Sequence, residues 1–432
     1  MDFKQSETKK NLMRAFAGES QARNRYIFAA AQAKKQKMQV VEFVFRFTAK
    51  QEEAHAAVFY QHLKELSGET VHIDGGYPVD IYESVSEILR AAEHNEYEEF
   101  DLVYQAFAAA LGLVGMFFVS HIPYHFWERF AVIGYVVSLI LIALVLSPLG
   151  VEVNGARRWL NLGMSIQPAE IAKLAMILFL ATFICKMGRN IRTSRGFLTV
   201  IGVSLPHVFC IWKITNNLSS AIIVLGIAIL MLFVASPQYK PFFIIGGIGA
   251  LAVIGVIFGV KQLQSIEGLD FRFARIMAWL DPEAYASGKG FQTLQALYAI
   301  GSGGIFGKGL GQSIQKLGFL PEQQNDMIFS IICEELGLFG GIAVILIFLL
   351  LIWRLMIIAN NASDLFGALL VVGVLGHIAI QVILNVAVVT NSMPNTGVSL
   401  PFISYGGSSI LFLLIEMGLV MSVARGIKVR DV

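Results

Sequence analysis

Charge and cysteine are both scarce in this chain, and each scarcity removes a class of protein. Asp, Glu, Lys and Arg make up 15% of the 432 residues against 56% hydrophobic ones, a balance that leans away from a water-soluble globule and towards a bilayer. A net charge of only +2, with no basic stripe interleaved with aromatics, argues against a nucleic-acid surface. The three cysteines, Cys185, Cys210 and Cys333, lie in or beside apolar runs, and none forms a C-x-x-C pair. A zinc ribbon or rubredoxin-type iron site is therefore not expected, and the thiols read as small buried hydrophobes. The opening MDFKQSETKK has no apolar h-region, so no signal peptide is expected.

What charge there is falls unevenly. Residues 1–100 hold 13 basic and 16 acidic side chains, leaving 20 basic and 15 acidic for all the rest. A water-soluble sequence meets a membrane sequence near residue 101 with no linker between them. The expected fold class is all-α: a helical bundle over 1–104, then a polytopic α-helical membrane bundle of about nine spans over 105–432.

In the first part, helical patterns run from about Thr8 to Lys37 and from about Val40 to Leu66, with a third from near Ser84 through Glu99. They carry Glu19, then Glu52 and His55 as Glu-x-x-His, then Glu96 and Glu99 as Glu-x-x-Glu. An i, i+3 pair projects two ligands from one helical face, which is how four-helix bundles build carboxylate-bridged di-iron centres. Ordinary solvated charges on amphipathic helices are the plain alternative. The text AFAGESQARNRY (Ala15–Tyr26) followed by Glu-x-x-His resembles the N-terminal part of the rubrerythrin family. The resemblance implies an incomplete ferritin-like helical bundle over 1–104, with iron bound by Glu19, Glu52, His55, Glu96 and Glu99. It also implies a fourth helix with a second Glu-x-x-His, and here the pattern stops after Asp101–Tyr104. One iron would lose its Glu and His, and the bundle would expose an apolar seam.

In the second part, apolar stretches long enough to span a bilayer fall near 103–121, 129–149, 168–187, 197–214, 218–235, 241–260, 327–353, 366–390 and 404–424. Lys186, Arg189, Arg192 and Arg195 share one short loop, which the positive-inside rule makes cytoplasmic, as are the C-terminal Arg425, Lys428 and Arg430. Alternation then puts 150–167, 261–326 and 391–403 outside. The Gly-rich stretch Gly288–Gly311 suggests turns and interfacial pieces. Arg157 and Arg158 can hold a phosphate or simply snorkel to the interface. Glu170 and Lys173 at i, i+3 can line a polar cavity or merely neutralise one another. Asp326 stands at the mouth of a helix, as a cap or as a general base or metal ligand.

NGARRWLNLGMSIQPAEIAKL (Asn154–Leu174), NLSSA (Asn217–Ala221), GKGLGQS (Gly307–Ser313), LPEQQNDMIFSIICEELG (Leu320–Gly337) and PNTGVSLPFISYGGSS (Pro394–Ser409) resemble the shape, elongation, division and sporulation (SEDS) family. That resemblance implies a multi-pass plasma-membrane glycosyltransferase that polymerises lipid II into the growing glycan strand of peptidoglycan. It makes Asp326 the catalytic carboxylate, acting as base or positioning a divalent cation. It assigns Arg157, Arg158, Glu170 and Lys173 to the cavity that handles the donor's pyrophosphate and sugar. It implies a cognate class B penicillin-binding transpeptidase and divisome proteins as partners. Ala169 and Asn325 depart from the Ser and Thr usual there. Against the family's ten spans, this chain begins at the second, so both halves read as truncated at the join. Two other functions stay open: a lipid II flippase using the same cavity, and a rubrerythrin-like oxidoreductase whose membrane half is an anchor.

Overall fold

The structure is a computed structural model, and it describes residues 7–67, 70–72, 84–153, 156–161, 165–262, 271–286, 290–317 and 320–427. It divides into two units, Met1–Val103 and Tyr104–Val432.

The first unit is built on a hairpin of α1 (Glu7–Lys35) and α2 (Gln39–His62). Small residues let the two backbones approach. Ala29, Ala30 and Ala33 of α1 are buried with Phe45 and Ala49 of α2, and the Tyr26 and Phe45 rings stack at 6.1 Å between centroids. The next helix, α3 (Val85–His121), does not stop near Glu99 as its pattern suggested but continues across the unit boundary. No breaker interrupts the sequence there; only the hydropathy changes, and hydropathy does not end a helix.

The second unit is helical apart from one small sheet. After α3 come α4 (His125–Glu128), α5 (Ala131–Leu144), α6 (Pro168–Met187), α7 (Ser194–Ile214), α8 (Leu218–Ala235) and α9 (Lys240–Gln262). Then follow α10 (Phe271–Leu280), α11 (Phe291–Gly303), α12 (Ile328–Asn360), α13 (Leu365–Val389) and α14 (Gly407–Arg425). Among the described residues six helices are long and apolar enough to cross a membrane: α6, α7, α8, α12, α13 and α14. Three shorter apolar helices, Gln105–His121, Ala131–Leu144 and Lys240–Gly249, coincide with the other three expected stretches. The unit is an integral membrane protein.

Local chemistry sets the ends. Pro168 opens α6, where its missing N–H costs nothing. Thr193, Asn217 and Asp364 cap α7, α8 and α13 through side-chain bonds to Gly196, Ser220 and Gly367. The core lies where α6, α8 and α13 pack, with Met176, Ile177, Leu180, Ile227, Met231, Val374 and Ile378 fully buried. Phe117, Phe118, Phe243, Leu251 and Trp353 face outward, as lipid contact requires.

Two features were not apparent in the pattern. The strands β1 (Gly150–Val153), β2 (Ala156–Asn161) and β3 (Ser165–Ile166) form a three-stranded antiparallel sheet. The Gly-rich stretch read as turns contains the helix α11. Its end crosses α12 where that helix breaks at Gly337, which has φ +67°. The break frees helical backbone groups, and the following segment takes them: Lys308 and Gly309 N–H donate to the Glu334 and Glu335 carbonyls at 3.0 and 2.9 Å, and Leu338 N–H donates to Gly304 O at 2.9 Å. Irregular backbone at membrane depth is tolerated only when satisfied in this way. The Glu334 side chain closes the arrangement, accepting from Lys308 Nζ at 2.6 Å, from the Ile314 and Gln315 N–H groups, and from the Ser313 hydroxyl.

Candidate functional site

Asp326 lies in the turn that leads into α12, and it is buried. Four segments distant in sequence hold it. Asn385, on α13, donates Nδ2 to the Asp326 carbonyl at 2.8 Å and to Val398 O at 2.7 Å. Gln292, in the first turn of α11, donates Nε2 to Asp326 Oδ1 at 3.3 Å and to Pro321 O at 3.2 Å. Gln292 is fixed in turn, because Asn395 Nδ2 donates to its Oε1 at 2.7 Å. Arg275, on α10, donates Nη1 to Asn395 O at 3.4 Å. Gly397 lies against the other carboxylate oxygen: at φ +67°, a Cβ there would come within 3.7 Å of Asp326 Oδ2.

This surrounding changes the acid. Burial, and then the neighbouring Glu322 charge, push Asp326 up to about 7, with Arg275 and the Gln292 donor pulling the other way. Arg275 is itself lowered by burial and raised by Asp326. Arg158 is lowered by burial and by the charge of Arg275. One anion and two cations thus share a poorly hydrated space at one end of the helical bundle.

The other expected residues divide. Arg158 donates Nε and Nη2 to the Thr215 and Asn216 carbonyls at 3.2 and 3.1 Å, in electrical reach of Arg275. Arg157 does not join it. Successive residues of a strand point to opposite faces, and Arg157 pairs across the β1–β2 ladder with half-exposed Glu152 at 3.7 Å. Glu170 and Lys173 form a closed, buried pair at 2.7 Å in the first turn of α6, and one Glu170 oxygen has no hydrogen-bond partner among the described residues.

Arg275, Gln292, Asn385 and Asn395 had not been singled out. For Asn385 a signal existed: His377, Gln381 and Asn385 recur every four residues along an otherwise apolar α13, and all three are buried. His377 Nδ1 meets Glu416 of α14 at 2.8 Å, and Gln381 donates to Ser399 O at 3.0 Å. This polar stripe ties α13 to α14 and to the 394–405 segment beneath Asp326. Arg275 and Gln292 carried no such signal, since only the tertiary fold brings them in.

Positioning a divalent cation was one of two readings of Asp326. Among the described residues, the groups around its carboxylate are the Gln292 amide, the Glu322 carboxylate and the Arg275 guanidinium.

In the first unit Glu19, Glu52 and His55 do come together, with ligand atoms all within 4.8 Å of one another. His55 Nδ1 lies 3.7 Å from Glu19 Oε2 and 3.3 Å from Glu52 Oε2. Two hard oxygens and an imidazole fit one ion of iron or a similar metal. Glu96 and Glu99 fall on α3, with side chains outside the described residues.

Comparison with known proteins bears on both units. Residues 78–428 match the family model of the cell cycle proteins FtsW, RodA and SpoVE, and residues 10–112 match that of rubrerythrin. Stage V sporulation protein E of Bacillus subtilis is 40% identical over 324 residues, covering 74% of this chain and 86% of that one. The probable peptidoglycan glycosyltransferase FtsW of Trichlorobacter lovleyi is 39% identical over 348 residues, covering 80% and 88%. Among solved structures, a chain of a peptidoglycan synthase complex that coordinates polymerization and crosslinking superposes with a TM-score of 0.63 at 30% identity, covering 76% of this chain and 90% of that one. The rod shape determining protein RodA of Thermus thermophilus gives 0.53 at 30% identity, covering 76% and 89%.

Proposed function

The chain belongs to the cell cycle protein family of FtsW, RodA and SpoVE, and from that premise we propose that it is a peptidoglycan glycosyltransferase polymerising lipid II. The observation that carries the reading is the carboxyl of Asp326, held by Gln292 and Asn385 and raised to about 7 beside Arg275.

A base is most useful when its pKa lies near the working pH, ionised often enough to be available and basic enough to take a proton. Asp326 takes the proton of the acceptor sugar's hydroxyl. The oxygen so activated attacks the anomeric carbon of the lipid-linked donor. The bond from that carbon to the pyrophosphate breaks, and the electron pair leaves on undecaprenyl pyrophosphate. Arg275 and Arg158, poorly solvated and fixed before the reaction, stabilise the charge growing on the leaving oxygen. Arg157, near Glu152 and half-exposed, suits a later contact with the departing phosphates. Glu170 and Lys173, paired with each other, brace the first turn of α6.

The side of action follows from loop charge. Among the described residues, strands β1 to β3, Thr215–Asn217, helices α10 and α11, Asp326 and residues 391–405 gather at one end of the bundle, while Lys186, Arg189, Arg192, Arg195 and Arg425 lie at the other. Short basic loops favour the cytoplasm, so the Asp326 end faces outward and the C-terminus is cytoplasmic. A class B penicillin-binding transpeptidase is the partner this reading supports, since a structural relative works within a synthase complex that couples polymerization to crosslinking.

Replacing Asp326 with Asn and assaying purified full-length protein on lipid II tests the proposal. We expect glycan-strand formation to fall by about 100-fold or more. Undiminished polymerisation by Asp326→Asn would remove Asp326 as the base. A wild-type chain that moves lipid II between leaflets but forms no glycan would instead support a flippase.

A further inference from the structure

At the end of the bundle opposite Asp326, the second unit carries a cavity of about 350 Å³ lined by His125, Glu128, Arg129 and Lys186. Its walls come from α4, from the residue that follows α4, and from the last turn of α6. None of these side chains touches the chemistry proposed above. The volume falls within the roughly 300–1,000 Å³ usual for small-molecule sites.

The charges in the cavity are not used up by one another. His125 is engaged elsewhere: its Nε2 lies 3.1 Å from Asp364 Oδ2, which also accepts from the Tyr124 hydroxyl. Arg129 and Lys186 differ. Among the described residues no ion pair joins either cation to Glu128 or to another carboxylate. Two positive charges and one negative charge leave one positive charge in surplus.

The surroundings say what kind of anion can reach it. Arg129 precedes α5 by two residues, and Ile133, Val136, Val137 and Ile140 of α5 are all exposed. Their spacing puts them on one face of the helix, and such a face on a membrane helix touches acyl chains. Phe126 and Phe130 are exposed too, with rings 5.2 Å apart, and Trp127 stands between them in sequence. Aromatic side chains of this kind gather at the level of lipid headgroups.

We propose that the cavity binds a glycerophospholipid whose phosphodiester headgroup carries hydroxyls, of the phosphatidylglycerol kind. Arg129 and Lys186 take the phosphate through charge-assisted bonds. A headgroup hydroxyl donates to Glu128, and the acyl chains lie along the exposed face of α5. Basic pockets between membrane helices on the cytoplasmic side suit anionic headgroups, and the orientation proposed above puts this one at the inner leaflet. Charge balance selects among phosphates. A phosphodiester carries one negative charge and matches the surplus, whereas a zwitterionic headgroup leaves it unmatched. A phosphate monoester carries about −1.5 to −2 at pH 7 and sets the extra charge against Glu128. The inference concerns binding alone and stands apart from the polymerase reading.

The test uses full-length protein in detergent, delipidated and offered equal amounts of phosphatidylglycerol, phosphatidylcholine and phosphatidic acid. Native mass spectrometry then counts the lipid retained. We expect wild type to retain phosphatidylglycerol about tenfold better than either of the others. Arg129→Gln together with Lys186→Gln should bring it down to the phosphatidylcholine level. Arg189→Gln together with Arg192→Gln removes the same charge from the adjoining loop, outside the cavity, and should leave the preference intact. Glu128→Gln keeps both cations and should raise phosphatidic acid to the level of phosphatidylglycerol, a gain that misfolding would not produce. Equal retention of the three lipids by wild type overturns the proposal. So does an equal loss in the loop variant, which would mean diffuse attraction to a basic end. Displacement of phosphatidylglycerol by inorganic phosphate overturns it as well, since the cavity would then take a free anion.

Discussion

The buried carboxyl of Asp326 costs the fold stability once it is ionised. Its pKa rises from 3.8 unfolded to about 7 folded, so ionising it within the structure is unfavourable. The cost is absent below about pH 4, grows as pH rises between the two values, and is complete above about pH 7. Roughly three units at about 1.4 kcal/mol each put it on the order of 4 kcal/mol at most. Asp326→Asn should therefore raise the melting temperature at about pH 8 and leave it unchanged near pH 4; a thermal denaturation series over pH reads this directly. Gln292 makes the complementary case. Its donor favours the ionised carboxylate, so Gln292→Leu pushes the pKa further up. The acid limb of the pH–rate profile should move to higher pH, with the plateau rate recovered on the alkaline side. A profile that merely drops at every pH would mean that Gln292 is structural. The text PEQQNDMIF puts Asp326 at the mouth of a helix, and α12 does begin at Ile328. The residues that tune it were not legible in the sequence, because Gln292 and Arg275 lie 34 and 51 positions away and only the fold brings them near.

At the scale of elements, the break in α12 fixes how the end of α11 crosses that helix. Gly337 has φ +67°, and a Cβ there would stand 2.4 Å from both Gly307 N and Ile305 O. Those atoms are backbone and cannot step aside. Gly337→Ala should lose folded protein, at a cost above the roughly 1 kcal/mol of a left-handed alanine alone. Gly246→Ala, in α9 where nothing lies within 4 Å, should be neutral or stabilise by about 0.5–1 kcal/mol. Yield and melting temperature of the two variants in the same detergent provide the comparison. The spans themselves were legible, since an apolar run of sufficient length admits few other structures. The sheet at 150–166 was not, because strands of four, six and two residues are too short to show alternation. Helix α11 was hidden by Gly301, Gly303 and Gly304. At Gly303 the glycine serves a crossing: a Cβ would stand 2.0 Å from the Cys333 carbonyl, so it permits contact between two helices and does not end one.

For the whole molecule, the abrupt change in charge near residue 101 poses a question of sidedness. Helix α3 ends at His121, which meets Arg425 at 3.2 Å, and Arg425 also donates to Ser120 O. The lower end of α3 and the C-terminus therefore share one side of the bundle. If that side is the cytoplasm, as the basic loops argue, then crossing Gln105–His121 puts residue 105 outside, and the charged first unit is attached there. Single cysteines report the outcome, because the native thiols Cys185, Cys210 and Cys333 all lie within apolar helices. Lys50→Cys, on exposed α2, should react with a membrane-impermeant maleimide in intact cells. Arg192→Cys, in the basic loop after α6, should react only after permeabilisation. Protection of both would keep the hairpin in the cytoplasm with its metal ligands and require Gln105–His121 to lie along the membrane. The bundle would then have an even number of crossings, with both ends on one side.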